Sequence, residues 1–265
     1  MSISPYLWFV GSLLALVIVQ KWIHKHLHGL AYLLTGHDDA ALMVYALPLL
    51  PGVALHEIAH ALMATLLGVK SANFSIVPTR QPDGHVRLGS VQVERVDAMR
   101  ASLIGLAPLL LGSAAVLLIS TLQFGVSSLG EAVRSDNVGA VIASLGNVLN
   151  APDAWVGLYF LFAIANAMAP SPADRETWPP VILFSGLMLG AALLFGWNSA
   201  VEGVGTVIGD MLRWLAAAFT ITLMVDLPFV AIIWLAEQTV GRVKGQRVAY
   251  TTDPGNDRSS SRKKR

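Results

Sequence analysis

Long apolar runs constrain this chain more than any other feature, because crossing the hydrocarbon core of a bilayer takes roughly 20 apolar residues. Runs near residues 4–22, 40–68, 98–122, 154–170, 180–197 and 212–236 meet or approach that length. Hydrophobic residues make up 54% of the 265 and charged residues only 13%, with mean hydropathy +0.60. That balance is too apolar for an ordinary soluble domain. The expected fold is an all-α polytopic membrane protein with about six transmembrane helices in a lipid bilayer. No polar connection is long enough for a separate soluble domain. The first run lacks a basic leader and a small-residue cleavage site, so it is read as a retained helix. With no cysteine, disulfides and thiolate metal sites are excluded.

Six spans put both termini on one side, and the basic tail "GRVKGQRVAYTTDPGNDRSSSRKKR" assigns that side to the cytosol. Lys70, Arg80, Arg87, Arg95, Arg100 and Arg175 then share the cytosolic side, and Lys21, Lys25, Arg134 and Arg213 lie opposite. Lys21 and Lys25, directly after the first span, point the other way. The tail reads as a disordered topology signal, and no nucleic-acid partner is expected.

The stretch "LLPGVALHEIAHALMATLLGVK", Leu49 to Lys70, sets three polar groups in an apolar helix pattern. His56 and His60 are four apart, so a helix of 3.6 residues per turn stacks both imidazoles on one face, within reach of one metal ion. Glu57 adjoins that face. In H-E-x-x-H chemistry the imidazoles hold Zn²⁺ while the glutamate takes a proton from water and passes it to the leaving amine. Ionisable groups at membrane depth are costly, which favours a use for all three over chance. Pro48 and Pro51 predict a break before this helix and Gly68 its end.

Two histidines leave a catalytic zinc short of a third protein ligand and an open position. The segment "FAIANAMAPSPADRETWPP" ends a span in a proline-rich turn, and its Asp174 is expected at the depth of the His helix. Glu176 is the alternative ligand. Between the first two core spans, "ANFSIVPTRQPDGHVRLGSVQVERV" shifts to a period of two. Phe74 and Ile76, then Val86, Leu88, Val91 and Val93, alternate around a Pro82-Asp83-Gly84 turn with an irregularity at Gly89-Ser90. A small β-hairpin at the cytosolic face is expected, with His85 an ordinary loop residue.

These motifs resemble the site-two protease family of intramembrane zinc metalloproteases. "HEIAH" matches the first family motif, and "NAMAPSPAD" is similar to the second, an asparagine, prolines and a zinc-binding aspartate. Asn166 and Asp174 have the family spacing. Pro172 holds one usual proline place, the other proline is displaced to Pro170, and Arg175 replaces the usual glycine. "GLAPLLLG", Gly105 to Gly112, is similar to the small-residue motif of the next core helix.

The resemblance implies one Zn²⁺ per chain on His56, His60 and Asp174, Glu57 as the catalytic base, and Asn166 as a holder of substrate backbone. It also implies that the strands offer an edge to an unwound substrate. The implied function is an intramembrane zinc endopeptidase cutting a transmembrane or membrane-anchored protein near the cytosolic face of a prokaryotic cell membrane. A non-proteolytic subunit or scaffold of a membrane complex is the competing class, with another membrane protein as its partner. Four segments follow: residues 1–39, a first helix and interfacial segment; 40–178, a three-helix core with the hairpin at 71–96; 179–238, two further helices; and 239–265, the tail.

Two other features draw attention. "HKHLH", His24 to His28, suits an interfacial segment better than a metal site. Asp226, in the last span, is expected to face protein through a structural hydrogen bond.

Overall fold

The computed structural model describes residues 4–80, 86–125, 150–246, 248 and 250. Its helices are α1 (Pro5–Thr35), α2 (Asp38–Ala46), α3 (Leu50–Leu66), α4 (Ala98–Phe124), α5 (Ala154–Ala167), the single turn α6 (Pro172–Arg175), α7 (Trp178–Leu194) and α8 (Asn198–Lys244). Five helical stretches are long and apolar enough to cross a membrane: Tyr6–Thr35, Asp38–Leu66, Ala98–Phe124, Pro172–Leu194 and Val201–Lys244, with α5 a shorter apolar helix. Large apolar side chains such as Leu7, Ile18, Leu122 and Trp155 face outward, as lipid contact requires.

Local sequence explains the boundaries. A 3₁₀ turn at Leu47–Leu49, where Pro48 sits, separates α2 from α3, and Gly68 adopts a left-handed φ of 69° just past the end of α3. The Asp97 side chain accepts from the backbone N–H groups of Met99 and Arg100 and so caps α4.

The expected hairpin is present as two nested antiparallel pairs. Strand β1 (Ser71–Ser75) pairs with β4 (Ser90–Val93), and β2 (Thr79–Arg80) pairs with β3 (Val86–Arg87). Ser71 stands opposite Val93 and Thr79 opposite Arg87, with a register irregularity between Ala72 and Ser75. The Pro82-Asp83-Gly84 turn and His85 lie outside the described residues, as do Arg134 and residues 251–265.

Helices α3, α4 and α5 form the centre. A Cβ on Gly52 of α3 would overlap the Ala163 carbonyl of α5, and one on Gly105 of α4 would overlap the Asp174 carbonyl. Only glycine allows the backbones this close, the usual way helices pack where lipid supplies no hydrophobic drive. The "GLAPLLLG" segment therefore packs α4 against the turn that carries Asp174.

Three expectations are corrected. Helix α1 does not end at residue 22: it runs to Thr35, so the stretch read as an interfacial segment continues the first helix. Its polar residues continue the helix because they find partners on α2, α5 and α8. At the other end, α8 extends through residues 239–244, which the sequence assigned to the tail. Its 47 residues span about 70 Å, more than twice the roughly 30 Å of hydrocarbon.

The third correction concerns direction. Trp8 donates to Thr220, His26 pairs with Glu237, and Lys244 donates to the carbonyls of Leu33 and Leu34. Partner numbers rise together, so α1 and α8 run parallel. The N-terminus and the end of α8 thus lie at opposite ends of the bundle, not on one side. The strands, the start of α4 and the start of α1 share one end, called here the strand end. Helix α7 begins there, with Thr177 bonded to Ser102 of α4. Helix α8 comes alongside α1 at the same end, so residues 178–219 leave it and return to it.

Candidate metal centre

The i, i+4 spacing in α3 brings His56 Nε2 and His60 Nε2 to 3.1 Å. Asp174 arrives from the other side: its Oδ1 lies 3.2 Å from His60 Nε2 and its Oδ2 3.7 Å from His56 Nε2. One ligand atom from each residue lies within 4.8 Å of the others. Glu176 is exposed and stands outside this group, so of the two candidate third ligands Asp174 is the one that joins the histidines.

The displaced proline motif works through a capping box. The Ser171 N–H donates to Asp174 Oδ2 at 2.7 Å, and the Asp174 N–H donates back to Ser171 Oγ at 3.3 Å. Pro172 fits the first position of this turn because its missing N–H is not needed there. Arg175 in place of glycine is accommodated with its side chain outward.

Both imidazoles are oriented by backbone carbonyls. His56 Nδ1 bonds the Ala167 carbonyl at 2.7 Å, and His60 Nδ1 bonds the Ile104 carbonyl at 2.9 Å. A carbonyl can only accept, so each Nδ1 carries a proton, and in the neutral ring each Nε2 then presents a lone pair inward. With both rings neutral, two lone pairs and a carboxylate face one another with no donor among them. A cation relieves this arrangement, and the donor set of two imidazoles and a carboxylate fits a divalent metal ion.

Those carbonyls are free for stated reasons. The N–H that would take Ile104 O within α4 belongs to residue 108, which is proline. Helix α5 stops at Ala167 ahead of Pro170, leaving its last carbonyls unpaired within the helix. Three side chains take them in turn: Gln20 bonds Ala165 O at 2.9 Å, His24 bonds Asn166 O at 3.2 Å, and His56 bonds Ala167 O. The negative end of α5 also points toward the centre, where it favours a cation.

Glu57 is buried at 6% exposure, beside the two histidines. Gly89, just before β4, passes directly over it: a Cβ there would stand 2.7 Å from Glu57 Oε1 and 2.8 Å from Val53 Cγ1. The hairpin thus roofs the centre.

Asn166 lies elsewhere. Its amide nitrogen donates to Asp226 Oδ1 at 2.7 Å and to the Phe162 carbonyl at 3.0 Å, so the donor that the resemblance gives to substrate is engaged within the protein. Asp226, fully buried in α8, makes the structural bond expected of it. The "HKHLH" histidines do not converge. His24 Nδ1 accepts from the Tyr45 hydroxyl at 2.8 Å, His26 pairs with Glu237, and His28 packs edge-on to the Tyr45 ring. Sequence reading missed Pro108 as an orienting element; a proline four residues after a carbonyl at the depth of the HExxH helix is the signal that points to it.

No family model, characterised protein or solved structure matches the chain. The likeness to site-two proteases rests on the quoted motifs.

Proposed function

We propose that the protein is an intramembrane zinc endopeptidase that hydrolyses a peptide bond in a transmembrane or membrane-anchored protein, near the strand end of the bundle. The observation that carries this reading is the convergence of His56 Nε2, His60 Nε2 and the Asp174 carboxylate beside buried Glu57. Donors about 2.0–2.1 Å from a tetrahedral zinc stand about 3.3 Å apart. The two imidazole nitrogens, 3.1 Å apart, have that spacing, and the Asp174 carboxylate approaches them through different oxygens, Oδ1 at 3.2 Å from His60 and Oδ2 at 3.7 Å from His56.

When bound, Zn²⁺ supplies Lewis-acid polarisation and makes water nucleophilic near neutral pH. The remaining work falls to the chain. His56, His60 and Asp174 hold the ion, with the Ile104 and Ala167 carbonyls fixing the rings. Glu57 accepts the proton that water loses as its oxygen attacks the carbonyl carbon, then returns it to the amine nitrogen as the C–N bond breaks. A helical peptide bond is shielded by its own hydrogen bonds, so the substrate must be extended locally. The outer edges of the β1–β4 pair supply a backbone template for that state.

The competing reading, a scaffold without proteolysis, draws on the close cover of Glu57 by Gly89. Glu57→Gln separates the two. It removes the proton acceptor and leaves the three ligands in place, so the variant is expected to bind zinc and fold normally. Cells expressing it accumulate an uncleaved membrane protein that the unmodified chain converts to a shorter, released fragment. Comparing membrane and soluble fractions by mass spectrometry finds that pair whatever the substrate is. A zinc-loaded Glu57→Gln protein that leaves every membrane protein processed as before overturns the protease reading.

A further inference from the structure

The pair formed by Asn166 of α5 and Asp226 of α8 lies outside the HExxH group, yet its hydrogen bonding is incomplete. Exposure is 3% at Asn166 and 0% at Asp226. One bond joins them, from Asn166 Nδ2 to Asp226 Oδ1. Asn166 Oδ1 and Asp226 Oδ2 are buried with no partner among the described residues, and both are acceptors. No cationic side chain among those residues pairs with Asp226. A lone carboxylate in such a place is strongly disfavoured, and so is an unmatched amide oxygen.

A single proton on Asp226 Oδ2 resolves both. The acid then donates to Asn166 Oδ1 while the amide donates to Asp226 Oδ1, closing a reciprocal ring that satisfies the two orphan atoms together. The pair is tied to the metal centre by one residue. The next carbonyl along the chain, at Ala167, is the one that holds His56 Nδ1, and the Asn166 carbonyl itself is held by His24. The last turn of α5 is therefore fixed from three helices, and α8 reaches it through Asp226 and the nearby stacking of Phe229 on Phe162.

We propose that Asp226 is a positioning residue for the metal centre: as a neutral carboxylic acid paired reciprocally with Asn166, it fixes the turn of α5 whose carbonyl orients His56. This rests on the metal-centre reading and not on proteolysis. Asparagine at 226 reproduces the hydrogen-bonding pattern of the neutral acid, because an amide–amide pair closes the same ring, whereas leucine keeps the bulk and removes the ring.

The test uses the full chain in detergent, loaded with Co²⁺ as a spectroscopic probe. An infrared difference spectrum between unmodified protein and Asp226→Asn is expected to show the carbonyl band of a protonated carboxyl in the unmodified protein only. Asp226→Asn is expected to keep the cobalt absorption spectrum and an affinity within about threefold, while Asp226→Leu shifts the spectrum and weakens affinity by about 10–100-fold, as loss of an outer partner does. Asn166→Leu removes the same ring from the other side, so it carries the test if Asp226→Leu does not fold. A carboxylate band at Asp226 overturns the proposal. So does a folded leucine variant with unchanged spectrum and affinity. Unmodified protein that binds cobalt but cleaves nothing removes the protease reading alone, and protein that binds no ion removes both.

Discussion

Pro108 has no N–H, and four residues earlier the Ile104 carbonyl is free to take the Nδ1–H of His60. Restoring the donor gives a prediction that runs against ordinary helix propensity. Pro108→Ala relieves an interior proline, which elsewhere costs a helix about 3 kcal/mol, and a straighter α4 turns Ile104 O toward the new N–H. The variant is expected to be at least as stable as the unmodified protein yet to bind zinc about tenfold more weakly, in the range set by loss of an outer partner. Chelator competition on folded protein measures this, and unchanged affinity would show that the carbonyl does not orient His60. At this scale the sequence was informative only locally. His56, Glu57 and His60 are legible because their geometry depends on one helix. The carbonyls that orient the rings come from partners 111 and 44 residues away, a relation no spacing rule reports.

Among the elements, the hairpin has the most direct hold on chemistry. Alternation in the sequence located its strands, although the register shift lies between Ala72 and Ser75 and not at Gly89-Ser90 where it was expected, and the hairpin's position over Glu57 follows from packing. Gly89→Ala would push a methyl group against the Glu57 side chain and Val53 at once, so the Glu57 carboxylate must shift to make room. The expected outcome is proteolysis reduced by more than tenfold with zinc content unchanged, because none of the three ligands touches Gly89; a misplaced base costs rate in this way when geometry shifts by about 1 Å. Full activity in this variant would mean that the hairpin lifts away during turnover. Helix lengths were less legible than strand positions. Hydropathy sees only the apolar part of a helix, whereas α1 continues through His24, Lys25 and His26 because those side chains meet α2, α5, α8 and the chain beyond it.

For the whole molecule, the decisive relation is the parallel run of the first and last helices. Periodicity and length find apolar helices but carry no direction, so the sequence could not say at which end of the bundle each helix begins. The contacts of Trp8, His26 and Lys244 with α8 or α1 give the direction instead. The chain just beyond α8 is secured at the far end. Tyr250 donates to Glu237 Oε1 at 2.7 Å and packs under Lys25, and burial together with the Glu237 charge raises its hydroxyl pKa, so it stays a donor. Tyr250 and the end of α8 therefore lie toward the end of the bundle opposite the strands. Because the chain has no cysteine, single cysteines report this cleanly. Ser4→Cys, Glu94→Cys and Gln246→Cys sit at exposed positions at the N-terminus, beside β4 and past α8. In sealed membranes of one orientation, a membrane-impermeant maleimide is expected to label the first two from one side and Gln246→Cys only from the other. Labelling of all three from the same side would restore an even number of crossings and separate α1 from its parallel pairing with α8. Labelling as expected places the strands on the side opposite Gln246, and under the proposed protease reading that is the side nearest the peptide bond that is cut.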